Sequence, residues 1–171
     1  KTLAHNTVCW NGTDITSVEP GKCLLFENDR VRCKAENVYE GIDYTRELKI
    51  TENSVLDYFQ AEGKTGVYDY TFHFEPGIEL SCDLPTEAAD LGFSENGYQH
   101  VLETKKVKTD QNAVVLRAQL GAESMQVWVD LQEGQELFLL KTKDNPVNRI
   151  RNTVLIRSVG DKATYQMQLT V

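Results

Sequence analysis

The sequence holds no apolar run approaching the roughly 18 residues that a membrane-spanning helix needs. It also lacks a basic balance: 18 Lys and Arg stand against 26 Asp and Glu, a formal charge of −8 at pH 7. Phosphate backbones select a net basic face, so no nucleic-acid partner is expected. The GxSxG elbow, the GxxxxGK[ST] phosphate loop and the HExxH zinc motif are all missing. There is no CxxC, and no cysteine pair has zinc-finger spacing. Histidine is scarce, and His5, His73 and His100 are far apart in sequence. No metal and no cofactor is expected. With no catalytic constellation in view, the chain is read as not an enzyme.

What is present suits a globular protein. The chain has 171 residues, 40% hydrophobic and 26% charged, and a chain of that length buries a core without staples. One domain over 1–171 is the expectation, since no low-complexity linker or internal repeat divides the chain.

The dominant period is two. Ala163, Tyr165, Met167, Leu169 and Val171 alternate with Thr164, Gln166, Gln168 and Thr170, giving an apolar and a polar strand face. Before them runs the β-branched stretch Thr153 to Val159, and Gly160-Asp161 between the two predicts a tight hairpin. In that register Ile156 faces Tyr165 and Val154 faces Met167. Strands are also expected at Val114–Leu120, Met125–Leu131, Glu136–Lys141, Val67–Phe74 and Ile78–Leu84. Earlier ones are expected at Cys23–Phe26, Val31–Ala35 and Arg46–Thr51. Helix signals are limited to a turn or two at Val55–Gln60, capped by Asn53-Ser54, and a turn from Pro85 through Leu91. This spacing predicts an all-β antiparallel β-sandwich of about eight to ten strands with one or two short helical turns.

Four cysteines, Cys9, Cys23, Cys33 and Cys82, are compatible with two disulfides. Three connectivities are open, and sequential pairing (Cys9–Cys23, Cys33–Cys82) is the expectation, with Trp10 covering the first; free buried thiols are the competing reading. Asn11-Gly12-Thr13 is an N-glycosylation sequon. Together they point to a secreted protein or a cell-surface ectodomain, glycosylated at Asn11.

Tyr68, Tyr70, Phe72 and Phe74 form a stripe at strand spacing that is read as core. His73 lies on the opposite face and is read as structural or solvated. Glu27 with Asp29, or Asp69 with a cross-strand acid, are the carboxylate pairs to weigh for glycosidase chemistry, against a solvated acidic surface. Glu27-Asn28-Asp29 is also weighed for calcium, without the EF-hand pattern. Lys105, Lys106 and Lys108 form one basic cluster, read as edge protection. Lys141, Lys143, Arg149 and Arg151 form a second, a candidate patch for an acidic partner or sulfated glycan. Trp128 falls on the polar face of its strand, where it serves either as an interface anchor or sugar platform, or as part of a strand buried on both faces. The Pro85–Gly97 loop is the longest candidate functional loop.

Two stretches carry a resemblance. Gly66-Val67-Tyr68-Asp69-Tyr70-Thr71-Phe72-His73 resembles the central strand of complement and tumour-necrosis-factor-like jelly rolls. Val127 to Leu139, with its turn at Gln132-Glu133-Gly134, resembles their late strand–turn–strand. The resemblance implies a jelly-roll-like sandwich and carries over no binding residue. The function expected is an extracellular non-catalytic binding module for a receptor, adhesion or immune partner. It would act through Trp128, Lys141, Lys143, Arg149, Arg151 and the Pro85–Gly97 loop. The partner would be a protein receptor or ligand, with oligomerisation left open. The alternatives are a carbohydrate-binding module or lectin, and a structural subunit of a viral or cell-surface assembly.

Overall fold

A computed structural model describes residues 1–146 and 148–171. Val147, inside the basic stretch Lys141 to Arg151, lies outside the described residues. Strand makes up 62% of the chain and helix 4%, so the fold is all-β. The strands are β1 (Val8–Trp10), β2 (Lys22–Phe26), β3 (Arg30–Tyr39), β4 (Ile42–Ile50), β5 (Ser54–His73) and β6 (Glu79–Cys82). They continue with β7 (Thr86–Ala88), β8 (Val101–Val107), β9 (Ala113–Leu120), β10 (Glu123–Asp130), β11 (Glu136–Lys143) and β12 (Ile150–Thr170). Single 3₁₀ turns lie at Thr2–Ala4 and Tyr98–His100.

The strands pair antiparallel throughout, and two of them organise the rest. β5 and β12 run side by side from Ser54↔Thr170 to His73↔Thr153. The early half of β5 and the late half of β12 belong to one arm, ordered β2-β3-β4-β5-β12-β10-β9-β6. The other halves belong to a second arm, in which β1 flanks β5 and β11, β8 and β7 follow β12. The arms fold over each other. Tyr70 of the second stacks on Tyr165 of the first at 5.1 Å between ring centres. The Tyr44 hydroxyl on β4 donates to the Val8 carbonyl on β1 at 2.8 Å. Their facing sides share one core that includes Phe59, Tyr68, Leu116, Val127, Ile156 and Met167.

The second arm is covered on its outer side too. The N-terminal turn and the 89–100 segment bury Leu3, Cys9, Leu91, Tyr98, Phe138 and Leu155 in a second cluster. This explains the unbroken runs Thr153–Ile156 and Leu137–Leu140: a strand covered on both faces has no polar side to alternate with. The first arm keeps its outer face in water.

Two local expectations are overturned. Gly160-Asp161 is not a hairpin; β12 passes through it, with Gly160 at φ +154 and the register shifting against β5 between Gly160 and Lys162. Ile156 therefore faces Tyr70, and Tyr165 faces Phe59. A glycine in this conformation marks a bend when the partner strand continues, and β5 continues. Likewise Val55–Gln60 is strand, with Asp57 and Phe59 buried and Tyr58 exposed. Pro85–Leu91 holds the short strand β7, and the helical turns lie elsewhere.

Candidate functional site

The open face of the first arm is built by strict alternation. On β10, Val127 and Val129 enter the core while Gln126, Trp128 and Asp130 face outward. On β12, Tyr165 and Met167 go inward, and Gln166, Gln168 and Thr170 face out. On β5, Asp57 and Phe59 go inward, while Leu56, Tyr58 and Gln60 face out. The ladders align these outward residues into rows. One row is Val115, Trp128, Gln168 and Leu56. The next is Asp130, Gln166, Tyr58 and Glu47. A third is Ser81, Arg117, Gln126, Thr170 and Ser54.

Trp128 is 42% exposed at the centre of this face, and Tyr58 is 38% exposed. Each ring has its polar handle held by a glutamine two residues along its own strand. Trp128 Nε1–H donates to Gln126 Oε1 at 3.2 Å, and the Tyr58 hydroxyl donates to Gln60 Oε1 at 3.3 Å. Gln168 donates from Nε2 to the hydroxyls of Ser54 and Thr170, both at 3.2 Å. Beside Trp128 a cavity of about 230 Å³ is lined by Ser81, Asp83, Val115, Leu116, Arg117 and Gln126. Arg32 Nε donates to Glu47 Oε2 at 2.6 Å at one side of the face, while Asp130 and Arg117 stand on the rows either side of Trp128. Amides and hydroxyls both donate and accept, and an aromatic ring offers an apolar plane. Together they suit a neutral ligand rich in hydroxyl groups.

A second depression lies between β6–β7 and β8–β11, with Leu84, Leu139, Thr86 and Asn152 in its wall. Glu103 sits on it between Lys105 at 2.7 Å and Lys141 at 3.2 Å. Those two lysines hold its carboxyl below the usual range. Among the described residues the depression is lined by no aromatic side chain, and Glu103, Lys105 and Lys141 satisfy one another.

The other residues singled out from sequence do not gather here. Lys141 is engaged by Glu103, Arg149 and Arg151 share Asp144 at 3.3 Å, and Lys143 is exposed on the same strand end. Lys141, Arg149 and Arg151 are held in ion pairs and do not form one free basic patch with Lys143. Lys106 pairs with Glu136 and Lys108 with Glu87, on a strand whose neighbours are β11 and β7. The Pro85–Gly97 loop supplies β7 and then packs Leu91 and Phe93 over the second arm. Glu27 pairs through one oxygen with Arg30, and Asp69 is fully buried against Arg157; among the described residues no three His, Cys, Asp or Glu side chains are grouped to hold a metal ion. His73 is structural: it hydrogen-bonds Thr153 and the Leu3 carbonyl.

The cysteines are free, which corrects the expected disulfides. Cys9 is buried and its Sγ donates to the Thr13 carbonyl at 3.1 Å, while Cys23 lies directly opposite Cys33 on the β2–β3 ladder. Cys9–Cys23 and Cys33–Cys82 are therefore not the geometric neighbours. Trp10 packs on Tyr39, at 5.8 Å between ring centres, not on a disulfide. Asn11 is used locally, its side-chain oxygen accepting the Val67 N–H at 2.8 Å. Without disulfides the secreted-glycoprotein reading loses its support.

Sequence reasoning found Trp128 because it breaks the apolar alternation of its strand. It missed Tyr58, which lay in the segment read as helical. The alternation Leu56, Tyr58, Gln60 against Asp57, Phe59, Ala61 was the available signal.

No family model matches the chain, and no curated protein does. Solved structures do. A galactose mutarotase-related enzyme from Lactobacillus acidophilus superimposes with a TM-score of 0.54 at 8% identity, over 89% of this chain and 71% of that one. A proposed aldose 1-epimerase from Escherichia coli K12 gives 0.53 at 10% identity, over 90% and 68%. The likeness is one of fold. It replaces the expected kinship with complement and tumour-necrosis-factor-like jelly rolls. The pairing gives the physical reason: β10 and β11, read as consecutive strands of one motif, pair with different neighbours in different arms. The expectations of a non-catalytic receptor-binding module, and of a chain that is not an enzyme, lose their footing with it, since the neighbours are a galactose mutarotase-related enzyme and a proposed aldose 1-epimerase. Among the described residues no helix is long and apolar enough to cross a membrane.

Proposed function

We propose that this protein binds a carbohydrate on the open face of its first arm, with Trp128 as the stacking platform. The observation that carries the reading is the setting of Trp128: a 42% exposed indole framed by Gln126, Gln168 and Thr170, on a sheet face left bare of covering segments. A sugar presents C–H planes to a ring and hydroxyls to amides, and this face offers both. The fold likeness to aldose-epimerase-type proteins supports the same substrate class. The test is a glycan-array screen followed by titration of tryptophan fluorescence. A bound glycan whose affinity falls at least tenfold in Trp128→Ala supports the reading; a glycan bound equally well by that variant overturns it.

Turnover of the sugar is a second reading, favoured by Asp130. This half-buried carboxylate lies two residues from Trp128 on the same face, opposite Gln166. Interconverting anomers requires a base to take the proton of the anomeric hydroxyl while solvent water gives one to the ring oxygen, as the bond from that oxygen to the anomeric carbon breaks and the aldehyde forms. Asp130 is the group placed to be that base. Polarimetry on a freshly dissolved pure anomer reads it directly. Acceleration over buffer that drops about a hundredfold or more in Asp130→Asn supports turnover. Buffer-rate mutarotation leaves the protein a binder.

A further inference from the structure

We infer that the ligand of this face is an oligosaccharide lying across both Trp128 and Tyr58, a conclusion that rests on the carbohydrate reading above and goes on to fix the size of the ligand. Tyr58 on β5 faces Gln166 on β12, and Gln166 faces Asp130 on β10. Trp128 is two residues from Asp130 on the same outward side. One whole strand therefore separates the two rings. With strands about 4.8 Å apart and residues advancing about 3.4 Å, the two Cα atoms lie about 12 Å apart. A pyranose, a six-membered ring of bonds about 1.5 Å long, spans about half of that between its linkage oxygens. One sugar covers one ring; a chain of three or so reaches both.

The two positions repeat one device. At each, a half-exposed ring gives its polar hydrogen to the side-chain oxygen of a glutamine two residues away. With one lone pair of that oxygen filled, the glutamine still offers a sugar its two amide N–H donors and one acceptor site. Each position is thus a plane for stacking beside a donor. Between them β12 contributes Gln166 and Gln168, with the Ser54 and Thr170 hydroxyls behind Gln168. This middle row is uncharged and hydrogen-bonding. A protein partner would favour a contiguous apolar anchor in a desolvated pocket. Here amides part the two rings, a spacing that suits successive units of a polar chain. Beyond Tyr58 lies the Arg32–Glu47 pair, and Asp130 and Arg117 stand on the rows either side of Trp128, so the uncharged stretch of β12 between the rings suits a neutral chain.

The test is calorimetry on homologous series of one to six units, using β-1,4-glucan, α-1,4-glucan and β-1,4-galactan oligosaccharides. Affinity should rise at least tenfold from one unit to four and level off after that. Tyr58→Ala should abolish that gain, leaving the tetrasaccharide no tighter than the monosaccharide, and Tyr58→Phe, which keeps the ring, should retain it. Both rings lie half-exposed on the outer face, and thermal melting of each variant close to that of the parent certifies its folding. Equal affinity for one and four units, or a gain that survives Tyr58→Ala, overturns the two-ring site while leaving a single-sugar site at Trp128 intact. Failure of every saccharide to bind at any length overturns the carbohydrate reading itself.

Discussion

Asp57 and Asp69 lie on the same strand, and each is clasped by an arginine through two nitrogens and by a tyrosine hydroxyl. Asp57 takes Arg46, with Nε at 2.9 Å, and the Tyr70 hydroxyl at 2.7 Å. Asp69 takes Arg157 at 2.7 and 2.8 Å and the Tyr98 hydroxyl at 2.7 Å. Each guanidinium also lies over an aromatic ring, Arg46 on Phe59 at 5.4 Å and Arg157 on Phe93 at 5.4 Å. Both carboxylates are buried, Asp57 against the main core and Asp69 beneath the segment that covers the second arm. The pairing gives both oxygens of each carboxylate a charged partner in place of the water that burial removes. Removing one partner leaves the other charged and alone. Asp69→Asn is expected to cost about 3–5 kcal/mol, read from the urea midpoint. A loss below about 1 kcal/mol would mean that the covering segment opens and rehydrates Arg157.

His73 sets an acid limit on stability. Its Nε2 is 2.8 Å from the Leu3 carbonyl, which can only accept, so Nε2 carries the proton. Its Nδ1 then accepts from the Thr153 hydroxyl at 2.7 Å, and Thr153 accepts from Thr142 at 3.0 Å. Burial, then the nearby Arg151, lower the imidazole pKa to about 4; the hydrogen bond to the Leu3 carbonyl opposes them, His5 adds to the lowering and Asp144 opposes it. In the unfolded chain the value returns to about 6.5. Between these values the unfolded state binds the extra proton, so stability rises with pH. The contribution is complete above about pH 6.5, declines as pH falls, and is gone below about 4, a loss of about 3 kcal/mol. Urea midpoints across this window should slope in the parent and flatten in His73→Gln. An unchanged slope in that variant would assign the titration to another group.

Period two carried most of the fold. β9 and β10 were legible because each has one wet face, and alternation reports that contrast; β11, covered on both faces, was legible as an apolar run entered through the turn at Gln132-Glu133-Gly134. Gly160-Asp161 misled because a glycine between two apolar-patterned runs is the same signal whether the strand reverses or bends. The partner decides, and it lies about a hundred residues earlier in β5. Trp128 was legible as a ring out of phase. The row that gives it meaning was not, since Gln168, Thr170 and Ser54 meet only through ladders between strands distant in sequence. The buried clusters around Asp57 and Asp69 were hidden for a related reason: an acid beneath a covering loop reads in sequence like an acid in water.

Gly63 is where β5 crosses beneath the β3–β4 turn. Its φ is +145, and a Cβ built there would sit 1.9 Å from the Gly41 carbonyl oxygen and 3.0 Å from Ile42 Cα. Those are backbone atoms, with no side chain to swing aside. Gly63→Ala combines a disfavoured backbone angle with a clash that only movement of the turn relieves. A destabilisation above about 2 kcal/mol is expected by chemical denaturation. A cost below about 1 kcal/mol would place the turn farther from β5 in solution.

Thiol reactivity should separate the four cysteines by environment. The thiolate is the nucleophile, and burial pushes the Cys9 thiol up to about 11, so at pH 8 only about one molecule in a thousand carries it. Cys9 is also enclosed, its Sγ on the Thr13 carbonyl. Cys23 and Cys33 are exposed at the edge hairpin, and Cys82 is half-buried. Native protein treated with iodoacetamide at pH 8 should label first at Cys23 and Cys33, then at Cys82. Cys9 should take the label only after denaturation, with four labels in total and no reductant needed. Peptide mass spectrometry reads each site. Cys9 labelled as fast as Cys23 in the native state would mean that the N-terminal turn and the 89–100 segment do not stay seated. A Cys9–Cys23 bridge found without reductant would require β1 and β2 to lie side by side, against the pairing of β1 with β5.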